Sequence, residues 1–210
     1  MTDKIAGVIL AGGLATRMGG GDKCLKLLAP QTTLLDVVVQ RFKGQIESLA
    51  INASGEPSRF SRFNLPILPD QIDGYAGPLA GILAGLNWAK NIGASHVVSV
   101  AGDTPFFPRD LVAALRTHQA PSGLAIAASA DRQGKTWRQP TFGIWPVALK
   151  DDLERAISKG GVRKIVAWTD AHGAGQAFFD ESDGVDPFFN VNTPEDLERA
   201  CLIAAQQDLL

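Results

Sequence analysis

Cysteine and histidine, which supply many metal ligands and catalytic groups, are scarce in this sequence. Its 210 residues include two cysteines and three histidines. Cys24 and Cys201 lie far apart and lack the spacing of a disulfide framework or a metal motif, so we expect two free thiols without a chemical role. The histidines, His96, His118 and His172, show no ligand spacing. No Ser–His–Asp or Cys–His set can be assembled around them, which argues against a hydrolase.

An excess of positive charge is also absent. The chain carries 20 lysines and arginines against 22 aspartates and glutamates, a net charge of -2. This balance excludes a general attraction to nucleic acid or to an anionic membrane surface. No apolar run is long enough to cross a bilayer, and the first residues lack the features of a signal peptide. We therefore expect a cytoplasmic protein that binds neither nucleic acid nor membrane.

Short apolar runs alternate along the chain with segments of helical periodicity. With 45% hydrophobic and 20% charged residues, the chain can bury one substantial core, which predicts a single domain over residues 1–210. The alternation predicts an α/β fold with a mainly parallel sheet. The predicted strands are 5–10, 48–53, 96–101, 124–129 and 139–145, with weaker signals at 65–68 and 176–179.

Helices are predicted where apolar residues recur at helical spacing or follow a capping sequence. The last helix is the best marked, because Thr193 can cap it, Pro194 suits its first turn and Asp196 can close a capping box. Pro78 and Pro108 likewise suit the first turns of two other helices. The predicted helices before the last one span 33–47, 78–90, 108–118, 152–158 and 162–168.

The first predicted strand runs straight into a glycine-rich segment, LAGGLATRMGGGDK, at residues 10–23. Ligands of open α/β sheets bind beyond the carboxyl ends of the strands, so this position favours a ligand loop over a merely solvated one. The segment matches neither the Walker A spacing nor Gly-x-Gly-x-x-Gly. Gly12 and Gly13 would let the backbone approach a flat base or a phosphate. Arg17 and Lys23 would supply cations to an anionic group.

Six short motifs together resemble one enzyme family. They are LAGG at 10–13, RMG at 17–19, DK at 22–23, PLAG at 78–81, GDTP at 102–105 and NVNTPE at 190–195. The first is similar to the signature of several nucleotidyltransferases, and the whole set resembles the molybdenum cofactor guanylyltransferases. The resemblance implies a three-layer, Rossmann-like nucleotidyltransferase fold. It also implies transfer of GMP from GTP to the terminal phosphate of molybdenum-molybdopterin, with release of pyrophosphate.

The resemblance implies a GTP site in the N-terminal half of the chain. It assigns catalytic roles to Arg17, Lys23 and Asp103, with Asp103 holding Mg²⁺ and Lys23 reaching the triphosphate. Asp103 follows a predicted buried strand, and Mg²⁺ commonly takes one or two carboxylates plus substrate phosphates. Nucleotide contacts are implied for Leu10, Ala11, Gly12, Gly13, Asn52 and Asp70.

The polar side chains of this site, Asn52, Asp70 and Asp103, can also have purely structural roles. Asn52 can be a turn-forming asparagine and Asp70 a turn aspartate. Asp103 can begin a helix or occupy a turn before Pro105. The residues alone leave these alternatives open.

The C-terminal half is expected to be mainly molybdopterin-binding. Asn190 and Asn192 flank Val191, and strand alternation would turn both amides to one face. The resemblance places both on the pterin side of the site. Alternatively, Asn192 and Thr193 satisfy backbone groups where the last helix begins.

The polar segment 131–138 is predicted to form a loop or hairpin. A phosphorylated acceptor needs cations nearby, although surface basic residues mostly solvate a fold. Trp137 can stack on a pterin ring or pack in a hairpin or core. The candidate cations are Arg132, Lys135, Arg138, Arg163 and Lys164.

Three other functions remain open at this stage. A related transferase would use CTP on the same pterin, and another would use a nucleoside triphosphate on a sugar or polyol phosphate. A non-catalytic adaptor would bind the nucleotide without transferring it. The resemblance also implies transient contact with molybdopterin donor proteins or molybdoenzyme chaperones.

Overall fold

A seven-stranded sheet forms the centre of the molecule in the computed structural model, which describes residues 4–12, 20–72, 77–130, 134–181 and 184–207. The strand order is β5-β4-β1-β6-β8-β7-β9. A separate two-stranded sheet pairs β2 with β3. The strands are β1 (Ile5–Leu10), β2 (Leu27–Ala29), β3 (Thr32–Thr33), β4 (Ser48–Asn52), β5 (Ile67–Leu68), β6 (His96–Ala101), β7 (Ala125–Ala130), β8 (Thr136–Pro146) and β9 (Gly175–Phe179).

The sheet is mainly parallel. Strands β5, β4, β1 and β6 run in one direction, and β8 is antiparallel to both β6 and β7. Leu10 pairs with Asn52 on one side and with Ala101 on the other. The carboxyl ends of β1, β4 and β6 are therefore level with one another. We call this boundary of the sheet the carboxyl edge.

Helices cover both faces of the sheet. They are α1 (Leu34–Lys43), α2 (Pro78–Asn91), α3 (Leu111–Thr117), α4 (Lys150–Ser158), α5 (Ile165–Ala171) and α6 (Pro194–Gln206). Side chains alternate along each strand, so Ile9 packs in the core that includes α1 and α3, whereas Val8 packs in the core that includes α2, α4 and α5. A third, smaller cluster joins α6 to α1. This confirms the predicted three-layer α/β fold.

The predicted strands all exist, and the capping box of the last helix is present at Thr193 and Asp196. The prediction that a helix begins at Pro108 is wrong, because α3 begins at Leu111. Gln45 gives the physical reason. Its Nε2 donates to the carbonyl oxygen of Pro108 at 3.0 Å, and its Oε1 accepts from the Val112 backbone N–H at 3.0 Å. A side chain from the segment after α1 thus contacts the backbone on both sides of the start of this helix.

Strands β2 and β3 are not predicted by the sequence pattern, because segments this short carry no readable alternation. Strands β7 and β8 pair antiparallel with Ala130 opposite Thr136, which agrees with the predicted hairpin; residues 131–133 lie outside the described residues. No helix in the described ranges is long and apolar enough to cross a bilayer. The cytoplasmic location stays a prediction.

Candidate functional site

A pocket of about 210 Å³ opens at the carboxyl edge of the sheet. It gathers residues that follow β1, β4, β5 and β6, together with residues from α2, β8 and the segment before α6. Six residues expected in the site lie in it. The lining residues are Leu10, Gly12, Asn52, Ser54, Asp70, Gly77, Pro78, Ala101, Asp103, Thr141 and Asn190.

Asn52 anchors one end of this pocket. Its side chain is buried at the last position of β4, and its Nδ2 donates to the Leu68 carbonyl oxygen at 3.0 Å and to Asp70 Oδ1 at 2.8 Å. Asn52 is therefore not a turn residue: it uses both amide hydrogens to fix the strand end and to hold the exposed Asp70 carboxylate beside the pocket.

Helix α2 begins beside Asn52 and contacts it closely. A Cβ atom at Gly81 would lie 2.2 Å from Asn52 Oδ1 and 2.8 Å from Leu10 Cδ2. Only glycine therefore allows the helix this close to the two strand ends. Gly81 is the glycine of the PLAG motif, and this close contact explains why the motif has a glycine at that position.

Lys23 contacts three side chains, and two of them, Asp103 and Asn190, line the pocket. Its Nζ is 2.5 Å from Asp103 Oδ2, and it donates to Asn192 Oδ1 at 2.7 Å and to Asn190 Oδ1 at 3.3 Å. An ammonium group has three N–H donors, so these contacts use its full capacity. The side chains of Lys23 and Asp103 retain only 13% and 18% of their exposure.

Asp103 is not a helix-start residue, because α3 begins eight residues later in the chain with Asp110 at its N-terminal boundary. Its own loop is fixed through the backbone. Gly102 N–H donates to the Leu10 carbonyl oxygen at 3.0 Å, and Val191 N–H donates to the Asp103 carbonyl oxygen at 3.0 Å. The carboxylate is therefore held at the carboxyl edge without taking part in the backbone bonds.

The two asparagines before α6 do not form a strand, yet both amide oxygens face Lys23. The capping of α6 is carried out by Thr193 and Asp196, and Asp196 Oδ2 accepts the N–H groups of Asn192 and Thr193. The Asn192 amide oxygen thus remains available to Lys23. The contact of Asn190 and Asn192 with the pterin stays a prediction.

Arg59 is a residue of the site's periphery that the sequence did not indicate. Its Nη1 donates to both carboxylate oxygens of Asp22, at 2.7 and 2.6 Å. Its Nη2 donates to the Ser54 carbonyl oxygen and its Nε to the Glu56 carbonyl oxygen. One guanidinium nitrogen thus contacts both oxygens of the carboxylate, and hydrogen bonds between charged groups are stronger than neutral ones. Arg59 therefore ties the DK motif to the loop after β4.

Cys24, the residue after Lys23, is a free and buried cysteine. Burial, with the charges of Asp22 and Asp103, raises the pKa of its thiol to about 12. The thiolate, which is the nucleophilic form, is therefore suppressed at neutral pH. This agrees with the expectation that Cys24 has no chemical role.

Three of the candidate cations have partners within the protein. Arg138 pairs with Asp170 at 2.5 Å, and Arg163 Nη1 donates to the Ile157 carbonyl oxygen at 3.1 Å. Lys135 Nζ lies 4.0 Å from the ring centre of Trp137, which is half exposed at the hairpin. The core alternative for Trp137 is therefore wrong. Gly13, Arg17 and Arg132 lie outside the described residues.

Comparison with known proteins agrees with this geometry. Residues 7–174 match the family model described as the MobA-like NTP transferase domain. The chain is 47% identical over 207 residues to a molybdenum cofactor guanylyltransferase of Mesorhizobium japonicum, covering 95% of this chain and 96% of that protein. It is 44% identical to the protein of the same name from a Bradyrhizobium species, covering 99% and 96%.

Solved structures share the fold. Molybdopterin-guanine dinucleotide biosynthesis protein A from Archaeoglobus fulgidus superposes with a TM-score of 0.71 at 22% identity, covering 96% of this chain and 99% of that one. A 4-diphosphocytidyl-2C-methyl-D-erythritol synthase from Anaerococcus prevotii reaches 0.69 at 13% identity, covering 97% and 96%. The fold alone thus does not select a nucleotide, and the sequence relatives decide the assignment. The chain belongs to the MobA-like NTP transferases and, among them, to the molybdenum cofactor guanylyltransferase family.

Proposed function

We propose that this protein transfers GMP from GTP to the terminal phosphate of molybdenum-molybdopterin, which yields molybdopterin guanine dinucleotide and pyrophosphate. One observation carries the proposal. A single pocket joins the Asn52–Asp70 pair to Asp103 and to the Lys23–Asn190 contact at the carboxyl edge. The high identity to molybdenum cofactor guanylyltransferases supports the same substrates.

The Asp70 end of the pocket suits guanine. Guanine carries an N1–H and a neighbouring exocyclic amino group, and a carboxylate accepts two such parallel bonds. The Watson–Crick edge of cytosine offers an acceptor between its other two groups and so cannot make this paired contact. We assign the base to Asp70 and Asn52, with the backbone of Leu10, Ala11 and Gly12 beside it. This assignment favours GTP over CTP.

The transfer itself needs no general base. The acceptor phosphate is already an anion at neutral pH, and its oxygen forms a bond to the α-phosphorus of GTP while the bond to the pyrophosphate oxygen breaks. The protein must therefore align the two phosphates and neutralise their charge. Lys23 is the described cation best placed to do so, because it lies beside Asp103 at the pocket. Arg17 is proposed to assist it.

Asp103 is the proposed magnesium ligand. Among the described residues no group of three or more histidine, cysteine, aspartate or glutamate side chains could hold a metal. A single carboxylate nevertheless fits Mg²⁺, which keeps several waters and takes its other ligands from phosphates. When bound, Mg²⁺ would supply positive charge to the phosphate oxygens. Until then Lys23 balances the Asp103 carboxylate.

The two halves of the chain meet in this arrangement. Lys23 belongs to the proposed GTP half, whereas Asn190 and Asn192 belong to the half proposed to bind mainly molybdopterin. Their contact supports a proposed arrangement in which the two substrates lie on either side of one ammonium group. Transient contact with molybdopterin donor proteins or molybdoenzyme chaperones remains part of the proposal.

Product formation by the purified protein tests the function directly. We expect dinucleotide and pyrophosphate when molybdenum-molybdopterin and Mg²⁺ are supplied with GTP, and little product with CTP, ATP or UTP. Preference for CTP would favour a related transferase that uses CTP on the same pterin. Transfer only to a sugar phosphate would favour a sugar-phosphate nucleotidyltransferase. GTP binding without any product would indicate an adaptor. Each of these three results contradicts the proposal.

Replacing Gly81 with alanine tests the proposed binding of the GTP base by Asn52 and Asp70. The new Cβ would overlap Asn52 Oδ1, so Asn52 must release Asp70 or α2 must shift. Overpacking of this kind costs about 1–3 kcal/mol, and we expect GTP affinity measured by calorimetry to fall about tenfold. The control is Gly44→Ala at the end of α1, where the nearest atom to a Cβ is 3.7 Å away. Equal GTP affinity in both variants would remove Asn52 and Asp70 from the base site.

A further inference from the structure

Strand β8 changes course where it reaches the pocket. It pairs with β6 from His96 opposite Pro146 to Ser99 opposite Gly143. On the other side, Ile126 of β7 pairs with Gly143 but Ala127 pairs with Gln139, so residues 140–142 form a bulge. Bulges beside active sites commonly re-aim a side chain.

Two hydrogen bonds, one of them fully buried, hold this bulge. Ser99 Oγ donates to the Thr141 carbonyl oxygen at 2.7 Å, and Trp145 Nε1 donates to Ser99 Oγ at 2.8 Å. Ser99 and Trp145 are both fully buried in the middle of the molecule. A buried hydroxyl is costly unless it is hydrogen-bonded, and here both its donor and acceptor capacity are used. These two hydrogen bonds therefore fix the backbone of Thr141, which has no pairing partner on β7.

The neighbouring residue supplies a second anchor. Phe142 is buried and packs against the rings of Phe107, at 5.9 Å between centroids, and Phe188, at 4.9 Å. Thr141, the residue before Phe142, lines the pocket. The Ser99 bond uses the Thr141 carbonyl oxygen and leaves its hydroxyl available to a ligand.

The strand order tells which substrate this hydroxyl faces. Asp70, Asn52 and Leu10 follow or end β5, β4 and β1, on one side of β6. Thr141 lies on β8, on the other side of β6, and shares the pocket with Asp103 and Asn190. If the base lies over β4 and β5 and the reacting phosphates lie at Asp103, the next strand outward faces the acceptor.

We infer that the Thr141 hydroxyl donates a hydrogen bond to the terminal phosphate of the acceptor, and that Ser99 and Trp145 are positioning residues that hold it there. The inference rests on the proposed function and deepens it. A neutral donor suits this place, because it contacts the attacking phosphate without lowering its nucleophilicity as strongly as a second cation would. Thr141 is then a residue of acceptor binding that the sequence motifs do not indicate.

Steady-state kinetics with Thr141→Val and Thr141→Ser test this role. Valine keeps the shape and removes the hydroxyl, and we expect kcat/KM for molybdenum-molybdopterin to fall about tenfold, which matches the loss of one hydrogen bond to a charged group. The dissociation constant of GTP, measured by calorimetry, should stay within about twofold. Serine restores the hydroxyl and should recover most of the activity. Thermal unfolding of both variants shows whether the fold is retained.

Ser99→Ala tests whether the hydrogen bonds from Trp145 to Ser99 and from Ser99 to Thr141 position the Thr141 hydroxyl. It leaves the Thr141 hydroxyl in place but frees its backbone, so the acceptor KM should rise while GTP affinity is unchanged. Unaltered acceptor kinetics in Thr141→Val, or a loss of GTP affinity instead, would overturn the inference. Failure of the wild-type protein to form any dinucleotide would overturn the proposed function, and the acceptor assignment with it.

Discussion

Asp103→Asn is expected to lower kcat for dinucleotide formation about a hundredfold or more and to abolish its dependence on Mg²⁺ concentration. The carboxylate is the proposed magnesium ligand, and asparagine keeps its shape without its charge. Removal of one group that stabilises developing charge typically costs about 3 kcal/mol of activation free energy. The fold should persist, because the loop is held by backbone bonds from Gly102 and Val191 rather than by the side chain.

A magnesium titration of pyrophosphate release provides the measurement. Asp110→Asn is a matched control, because Asp110 is exposed, lies in the next segment and makes no capping hydrogen bond with its side chain. The control should follow the wild-type titration curve. Near-normal turnover of Asp103→Asn, with an unchanged Mg²⁺ midpoint, would contradict the metal assignment.

The layer architecture could be predicted from the sequence because its strands are continuous apolar runs. β1 and β6 were predicted to the residue, since both are buried on two faces and end at polar or glycine-rich segments. Parallel pairing brings such strand ends together, which is why Leu10, Asn52 and Asp103 converge on one pocket. The grouping of these residues thus follows from local patterns plus the geometry of a parallel sheet.

Contacts between distant segments could not be predicted in the same way. Lys23 meets Asn192 across 169 positions, and no local pattern pairs an ammonium group with that amide. Likewise, Arg59 reaches Asp22 from a 3₁₀ helix after β4 (Pro57–Phe63) that the sequence pattern does not predict. Thr141 reaches the pocket because it lies in a bulge of β8. A bulge depends on how the neighbouring strands pair and cannot be read from the sequence of β8 alone.

Gln45 shows the same limit for an element boundary. Pro108 is suited to a first helical turn, yet a side chain from beyond α1 takes its carbonyl oxygen and also satisfies the N–H of Val112. The helix consequently begins at Leu111. Local propensity predicts that a helix is present, but tertiary hydrogen bonds determine its first residue.

Lys23→Met is the second variant for which we expect a large effect. Methionine keeps an unbranched apolar side chain but removes the ammonium group that contacts Asp103, Asn190 and Asn192. A hydrogen bond to a charged group contributes about 1.5–3 kcal/mol, so GTP affinity measured by calorimetry should fall roughly ten- to a hundredfold. The rate with saturating GTP should fall as well, since the same charge is proposed to stabilise the transferring phosphates.

The control and a double variant separate these effects. Lys26→Met, three residues further along the same segment, should leave both GTP affinity and rate near the wild-type values. Because Lys23 and Asn192 are in direct contact at 2.7 Å, the losses in Lys23→Met and Asn192→Leu should not add in the double variant. Additive losses would mean that Asn192 acts on the acceptor independently of Lys23. Unchanged GTP affinity in Lys23→Met would place the triphosphate elsewhere in the pocket.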